Sequence, residues 1–287
     1  MAFLSLRLGR SFGRCILYVV TAYFFAFGPT ARRHARAYLR RALGREPGAI
    51  DRFRHLMTFA TTIHDRVYLV NERFDLFDIS IEGESLLLDM VRSGGGAFLM
   101  GAHVGSFEVT RAIGRRQPDL HVAMAMYEEN ALKVNAMLTA INSAAKPDII
   151  AIGKMGAMLK IRDYLEGGAF VGVMGDRSLD DEPGQVVDIL GDPARFPVGA
   201  MRAAAILRRS VIFMAGLYRG TNKYHVVFEP LADFSATPAD QREAAVQEAI
   251  ARYARLLEKY CRSDPYNWFN FYDFWRAVES PKVVVRN

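Results

Sequence analysis

His103 and Glu108 are the residues whose types and spacing most directly permit chemistry. They stand in GAFLMGAHVGSFEVTRAIG, residues 96–114. His103 follows an apolar run from Ala97 to Ala102 that suits a buried strand, so it sits just past that strand's C-terminal end. Ligands gather at that edge in open α/β sheets. Glu108 comes five residues later. On one continuous helix that spacing separates two side chains by about 140°, so the pair can meet only if the chain turns between them. Gly105 makes such a turn easy. Ser106 can then cap the following helix and leave Glu108 in its first turn, where the helix dipole stabilises a carboxylate. Arranged so, Glu108 accepts the proton of one imidazole nitrogen and leaves the other free to take a hydroxyl proton. The competing reading is a core histidine with an unrelated surface glutamate. A metal site fits less well, since no second histidine or carboxylate stands at ligand spacing nearby.

Further candidates follow other apolar runs. Asp176 and Arg177 come directly after AFVGVMG, and an arginine at such an edge can hold a phosphate by two parallel hydrogen bonds. The plainer reading of this pair is a surface turn. Lys154, in AIGKMG, follows a short strand and can share the edge or simply be solvated. Arg195 and Phe196 precede Pro197 and can shape a substrate wall. The tail YNWFNFYDFW, residues 266–275, carries both tryptophans, Trp268 and Trp275. It can line an acyl groove, lie at a membrane interface or pack across the domain as core. Ser143, Ser178 and Cys261 lie in no G-x-S-x-G elbow and are set aside as nucleophiles. Gly94 to Gly96 precede a strand, with no G-K-[ST] after them, so they form no phosphate loop.

The elements that must position these residues alternate. Strands are expected at 79–82, 97–102, 121–126, 148–152 and 169–174, with helices at 84–92, 106–114, 131–140 and 157–166 between and around them. A loop rich in Asp, Gly and Pro spans 178–197. A helix over 199–208, strands over 211–218 and 224–228, and a long helix over 238–260 complete the pattern. Alternation at this spacing implies an α/β fold with a mainly parallel sheet flanked by helices. Ahead of it lie helices over 32–43 and 49–70, the first rich in arginine. Three regions result: a membrane-associating N-terminal segment (1–31), a basic helical lead-in (32–77) and an α/β domain (78–287).

The chain's 51% apolar and 24% charged residues exclude a disordered class. Two cysteines cannot build a disulfide framework, which suits a reducing compartment. A net charge of +6 asks for an anionic partner. The uncharged, aromatic run from Cys15 to Ala31 is flanked on both sides by arginines. It reads as a short transmembrane anchor, an interfacial helix or a buried core helix. If it spans, the heavier downstream arginine count puts the main domain in the cytoplasm. Nucleic acid is not expected, because the basic residues cluster beside this apolar segment and not among exposed aromatics.

HVGSFE resembles the H-x4-D/E motif of the lysophospholipid acyltransferase superfamily, in the branch of the bacterial lipid A late acyltransferases. The apolar N-terminus, GDRS at 175–178, RFPVGAMRAAAIL at 195–207 and YNWFNFYDFW extend the resemblance over nearly the whole chain. In its closing aromatic block the chain is more similar to predicted acyltransferases of aryl-polyene pigment clusters. The resemblance implies an O-acyltransferase at the cytoplasmic face of the bacterial inner membrane. It would move a fatty or polyene acyl group from an acyl-carrier protein or coenzyme A thioester to a hydroxyl of a lipid or glycolipid, without a metal or bound cofactor. It also implies His103 as base and Glu108 as its orienting acid. Arg177, with Asp176, then meets the donor's phosphopantetheine, and donors near Ser106 stabilise the oxyanion. The alternatives are a thioester or lipid hydrolase using the same dyad, and a non-catalytic protein that binds membrane surfaces.

Overall fold

In the computed structural model, residues 2–110, 120–143, 148–153, 156–177 and 183–275 are described. Four helices open the chain: α1 (Ala2–Leu8), α2 (Arg10–Phe27), α3 (Pro29–Leu43) and α4 (Ala49–Val70). The strands are β1 (Asp78–Glu82), β2 (Phe98–Gly101), β3 (Val122–Tyr127), β4 (Ile149–Ile152), β5 (Phe170–Met174), β6 (Gly184–Ile189), β7 (Asp192–Pro197), β8 (Ser210–Tyr218) and β9 (Lys223–Asp233). The remaining helices are α5 (Glu84–Arg92), α6 (Glu128–Ile141), α7 (Ala157–Glu166), α8 (Gly199–Ile206) and α9 (Arg242–Ser263).

Seven strands form one sheet in the order β1-β9-β8-β2-β5-β3-β4, parallel throughout except for β8 against β9. The expected mainly parallel α/β sheet is therefore present. Its central strands are buried on both faces and read as continuous apolar runs, as parallel strands do. Phe98 and Met100 of β2 face one core layer with Tyr38 of α3, Leu165 of α7 and Tyr253 of α9. Leu99 faces the other, with Leu69 of α4, Leu87 of α5 and Met214 of β8.

Two elements depart from the sequence reading. The expected loop over 178–197 contains an antiparallel hairpin, β6 on β7, turning at Leu190 and Gly191. Both turn residues have positive φ, 55° and 90°, as a two-residue hairpin turn requires. Leucine there gives no turn signal, which is why the hairpin was hidden. The last long strand, β9, runs past its expected end at Phe228 through Pro230, which pairs with Ile212 beside a β-bulge. A proline inside a run reads as a strand break, and a bulge is where a sheet tolerates one.

The apolar segment from Cys15 to Ala31 is divided at Gly28, where α2 and α3 meet at 94°. Among the described residues no single helix is long and apolar enough to cross a membrane, although the bent pair passes that test together. The inner face of α2 lies on α4, with Gly13 so close to His64 that a Cβ would fall 2.2 Å from Nε2. Arg10 reaches across to the fully buried Asp65 with two bonds of 2.7 Å, and Tyr224 donates to the same carboxylate at 2.8 Å. A buried carboxylate left unpaired would cost several kcal/mol, so this contact ties the N-terminal helices to the sheet domain.

Candidate active site

His103 emerges two residues beyond the end of β2, and Asp176 two residues beyond the end of β5. These strands are parallel neighbours with Gly101 opposite Met174, so the register carries His103 and Asp176 out side by side. Asp176 is buried; the His103 side chain is 35% exposed. The Nδ1–H of His103 donates to Asp176 Oδ1 at 2.9 Å, and its backbone N–H donates to Oδ2 at 3.0 Å. Trp268 Nε1–H adds a third bond, to Oδ2 at 2.9 Å. Burial pushes the Asp176 carboxyl up, but the attraction and hydrogen bond of His103, the Trp268 N–H and nearby Arg177 outweigh it and bring it down to about 2. It is ionised at neutral pH. With Nδ1 holding its proton towards this carboxylate, Nε2 is left as the basic nitrogen.

Glu108 does not fill the orienting position expected of it. Its carboxylate forms an ion pair with Arg66 of α4 at 2.6 Å and accepts the Ser106 hydroxyl at 3.2 Å. The chain does turn at Gly105, where φ is +65° and a Cβ would sit 1.9 Å from the Gly216 carbonyl oxygen. After that crossing of β8, the Glu108 carboxylate meets Arg66 of α4. Glu108 opens a 3-10 turn, Glu108–Thr110, and the rest of the helix expected over 106–114 lies outside the described residues. Two N–H groups ahead of this turn are also engaged. Gly105 donates to Asn267 O and Ser106 to Gly216 O, each at 2.8 Å, so the Ser106 amide does not face an oxyanion.

Arg177 stands beside the dyad. Its Nη2 donates to the Phe269 carbonyl at 3.3 Å and its guanidinium lies over the Tyr272 ring at 5.1 Å. Arg195 is on β7, paired with Val186 in the hairpin, with no ion pair or hydrogen bond to His103 or Asp176. Lys154 lies outside the described residues. Among the described residues no group of three or more His, Cys, Asp or Glu side chains is placed to hold a metal ion.

The profile described as bacterial lipid A biosynthesis acyltransferase matches residues 3–277. The chain belongs to this family. No individually curated protein matches it. As an acyltransferase, the chain transfers acyl groups, and lipid is the acceptor class its family implies. Of the three readings open to the closing aromatic segment, packing across the domain as core describes Trp268, Phe274 and Trp275; what sequence reasoning missed is that its polar groups fasten the two strand ends that carry His103 and Asp176. Residues 267–272 cross the strand ends as a strap: Phe269 N–H donates to the His103 carbonyl at 2.8 Å, and Tyr272 OH to the Asp176 carbonyl at 2.9 Å. Asn267 brackets the Tyr218 backbone, accepting its N–H at 2.7 Å and donating to its carbonyl at 3.0 Å. Behind the strap, His55 of α4 donates from Nε2 to the Trp268 carbonyl at 2.8 Å. Paired polar residues amid the aromatics, Asn267 and Asn270, were the available signal.

Proposed function

We propose that this chain is a membrane-surface O-acyltransferase that moves a fatty acyl group from a thioester of acyl-carrier protein or coenzyme A to a hydroxyl of a lipid or glycolipid. The observation that carries the reading is the His103–Asp176 pair at adjacent strand ends, in a chain of this family. His103 Nε2 takes the acceptor's hydroxyl proton as its oxygen attacks the thioester carbonyl carbon. The tetrahedral intermediate then collapses, the C–S bond breaks, and the departing thiolate receives that proton from Nε2. The Asp176 carboxylate holds the ring and stabilises the imidazolium between these steps. Arg177 is assigned to the phosphate of the donor's phosphopantetheine. Glu108 supports the loop through Arg66 and Ser106.

Two features support a lipid-surface setting, which we take to be the cytoplasmic face of the inner membrane. On α2 the apolar residues Phe12, Val19, Tyr23 and Phe27 are exposed along one stripe, Val19 and Phe27 by about 70%. The neighbouring α3 exposes Arg33, Arg36 and Arg40, so an apolar stripe and a basic helix together suit an anionic interface. An apolar groove of about 580 Å³ between α2 and α4, lined by Ile16, Leu17, Val20, Leu56, Phe59 and Phe271 among others, is assigned to an acyl tail. Phe271 belongs to the strap, so the groove reaches the segment that crosses the dyad.

The test is to supply the purified protein with acyl-carrier-protein and coenzyme A thioesters, together with lipid and glycolipid acceptors in mixed micelles. Products are read by mass spectrometry. An acylated acceptor that needs His103 supports the reading. Thioester loss at the same rate without acceptor would make the protein a hydrolase.

A further inference from the structure

Trp268 is almost wholly buried, packed edge-on against Tyr38 and Phe274, and its indole N–H meets Asp176. A buried indole N–H needs an acceptor, and here the acceptor is the carboxylate behind the proposed base. The indole is also held in place from several directions. Asn267 anchors the strap to β8, His55 holds the Trp268 carbonyl, and Phe269 N–H is fastened to the His103 carbonyl. Asp176 Oδ2 therefore accepts both the His103 backbone N–H and the indole N–H, while Oδ1 faces the imidazole.

We propose that Trp268 is a positioning residue that tempers the Asp176 carboxylate and so sets how readily His103 gives up its proton. The inference rests on His103 being the base of the reaction proposed above. The physical argument is one of shared charge. A carboxylate satisfied only by histidine would hold the imidazolium tightly and keep the base protonated to higher pH. A further donor on the same carboxylate spreads its negative charge and weakens that hold. Hydrogen bonds to the partner of a reactive histidine commonly tune it in this way.

Other groups face the pair. Arg177 lies next to Asp176 in the chain, and Tyr272 lies above it on the strap. Tyr253 and Cys261 approach from α9, both pushed up by burial. His55, behind the strap, is pushed down by burial to about 4. Tyr272 is likewise pushed up by burial.

The experiment replaces Trp268 in the full-length protein with β-(3-benzothienyl)alanine, which keeps the bicyclic shape and puts sulfur where the N–H was. Trp268→Phe serves as the genetic counterpart, and thermal unfolding reports the fold of both. Acyl transfer is followed against pH, with kcat and each KM separated, and the His103 imidazole is titrated by NMR. The expected result is an acid limb of kcat/KM, and an NMR midpoint, moved to higher pH by about half a unit or more. Activity is then lost mainly at low pH and largely recovered at high pH, with both KM values unchanged. A limb and midpoint that stay in place, with kcat lowered uniformly, would reduce Trp268 to a space-filling residue. If Trp268→Phe fails to fold, the benzothienyl variant decides. The NMR midpoint needs no turnover, so an absence of acyl transfer in the wild-type protein would overturn the reaction and leave the link between Trp268 and His103 separately measurable.

Discussion

Asp176 and His103 are 73 residues apart in the chain and 2.9 Å apart in space, because β2 and β5 are parallel neighbours whose ends lie at one level. Nothing else in the site has so short a structural explanation. If His103 is the base, His103→Ala lowers transfer by about 100-fold or more while circular dichroism and thermal unfolding stay near wild type. More than a tenth of the activity remaining would remove His103 from the chemistry.

Asp176→Asn and Glu108→Gln separate the two carboxylates. Asparagine keeps the shape but loses the charge that orients and stabilises the imidazolium, a change that costs about 10⁴-fold in a comparable triad. Glu108→Gln loosens Arg66 and the loop, and a smaller loss of kcat is expected. Parallel kinetics on both variants check this. The opposite ranking would return the orienting role to Glu108.

Arg177→Lys keeps the positive charge but loses the planar two-bond fork, and the stacking on Tyr272 with it. The expected outcome is a raised KM for the thioester donor and an unchanged KM for the acceptor. An increase confined to the acceptor would put Arg177 on the headgroup side.

Val19→Glu combined with Phe27→Glu places two charges on the exposed stripe of α2 without touching its face on α4. Affinity for vesicles of anionic phospholipid should fall by about 10-fold or more. The remainder should be salt-sensitive, because α3 contributes roughly 1 kcal/mol per basic residue near the surface. Unaltered vesicle flotation would mean that this stripe does not enter the interface.

His55 gives a stability signature. Burial lowers it from 6.5 to about 4, so between those values the unfolded chain binds the proton and the folded protein does not. Stability therefore falls as pH drops from about 6.5 to about 4 and levels off below, by up to about 3 kcal/mol for the full shift. His55→Gln, whose amide can still donate to the Trp268 carbonyl, should flatten that slope in denaturant titrations. An equally steep slope in the variant would assign the pH dependence to other groups.

The sequence by itself determined the local grammar. Ala49–Val70, Glu84–Arg92 and Ala157–Glu166 are helices with the bounds their periodicity and flanking glycines announce. His103 and Asp176 were each legible as residues at the end of an apolar strand, and the ordered motifs were enough to suggest the family. Only the tertiary structure decided who meets whom. Periodicity encodes which face of a strand is buried, but not which strand lies beside it, and His103 meets Asp176 through β2 adjoining β5. For the same reason Glu108, near His103 in sequence, belongs to Arg66 of α4 once the backbone crosses β8 at Gly105. The indole of Trp268 reaches Asp176 across 92 residues, because a strap anchored by an asparagine side chain crosses the strand ends. Contacts of that range depend on sheet order and register, which are properties of the whole packed chain.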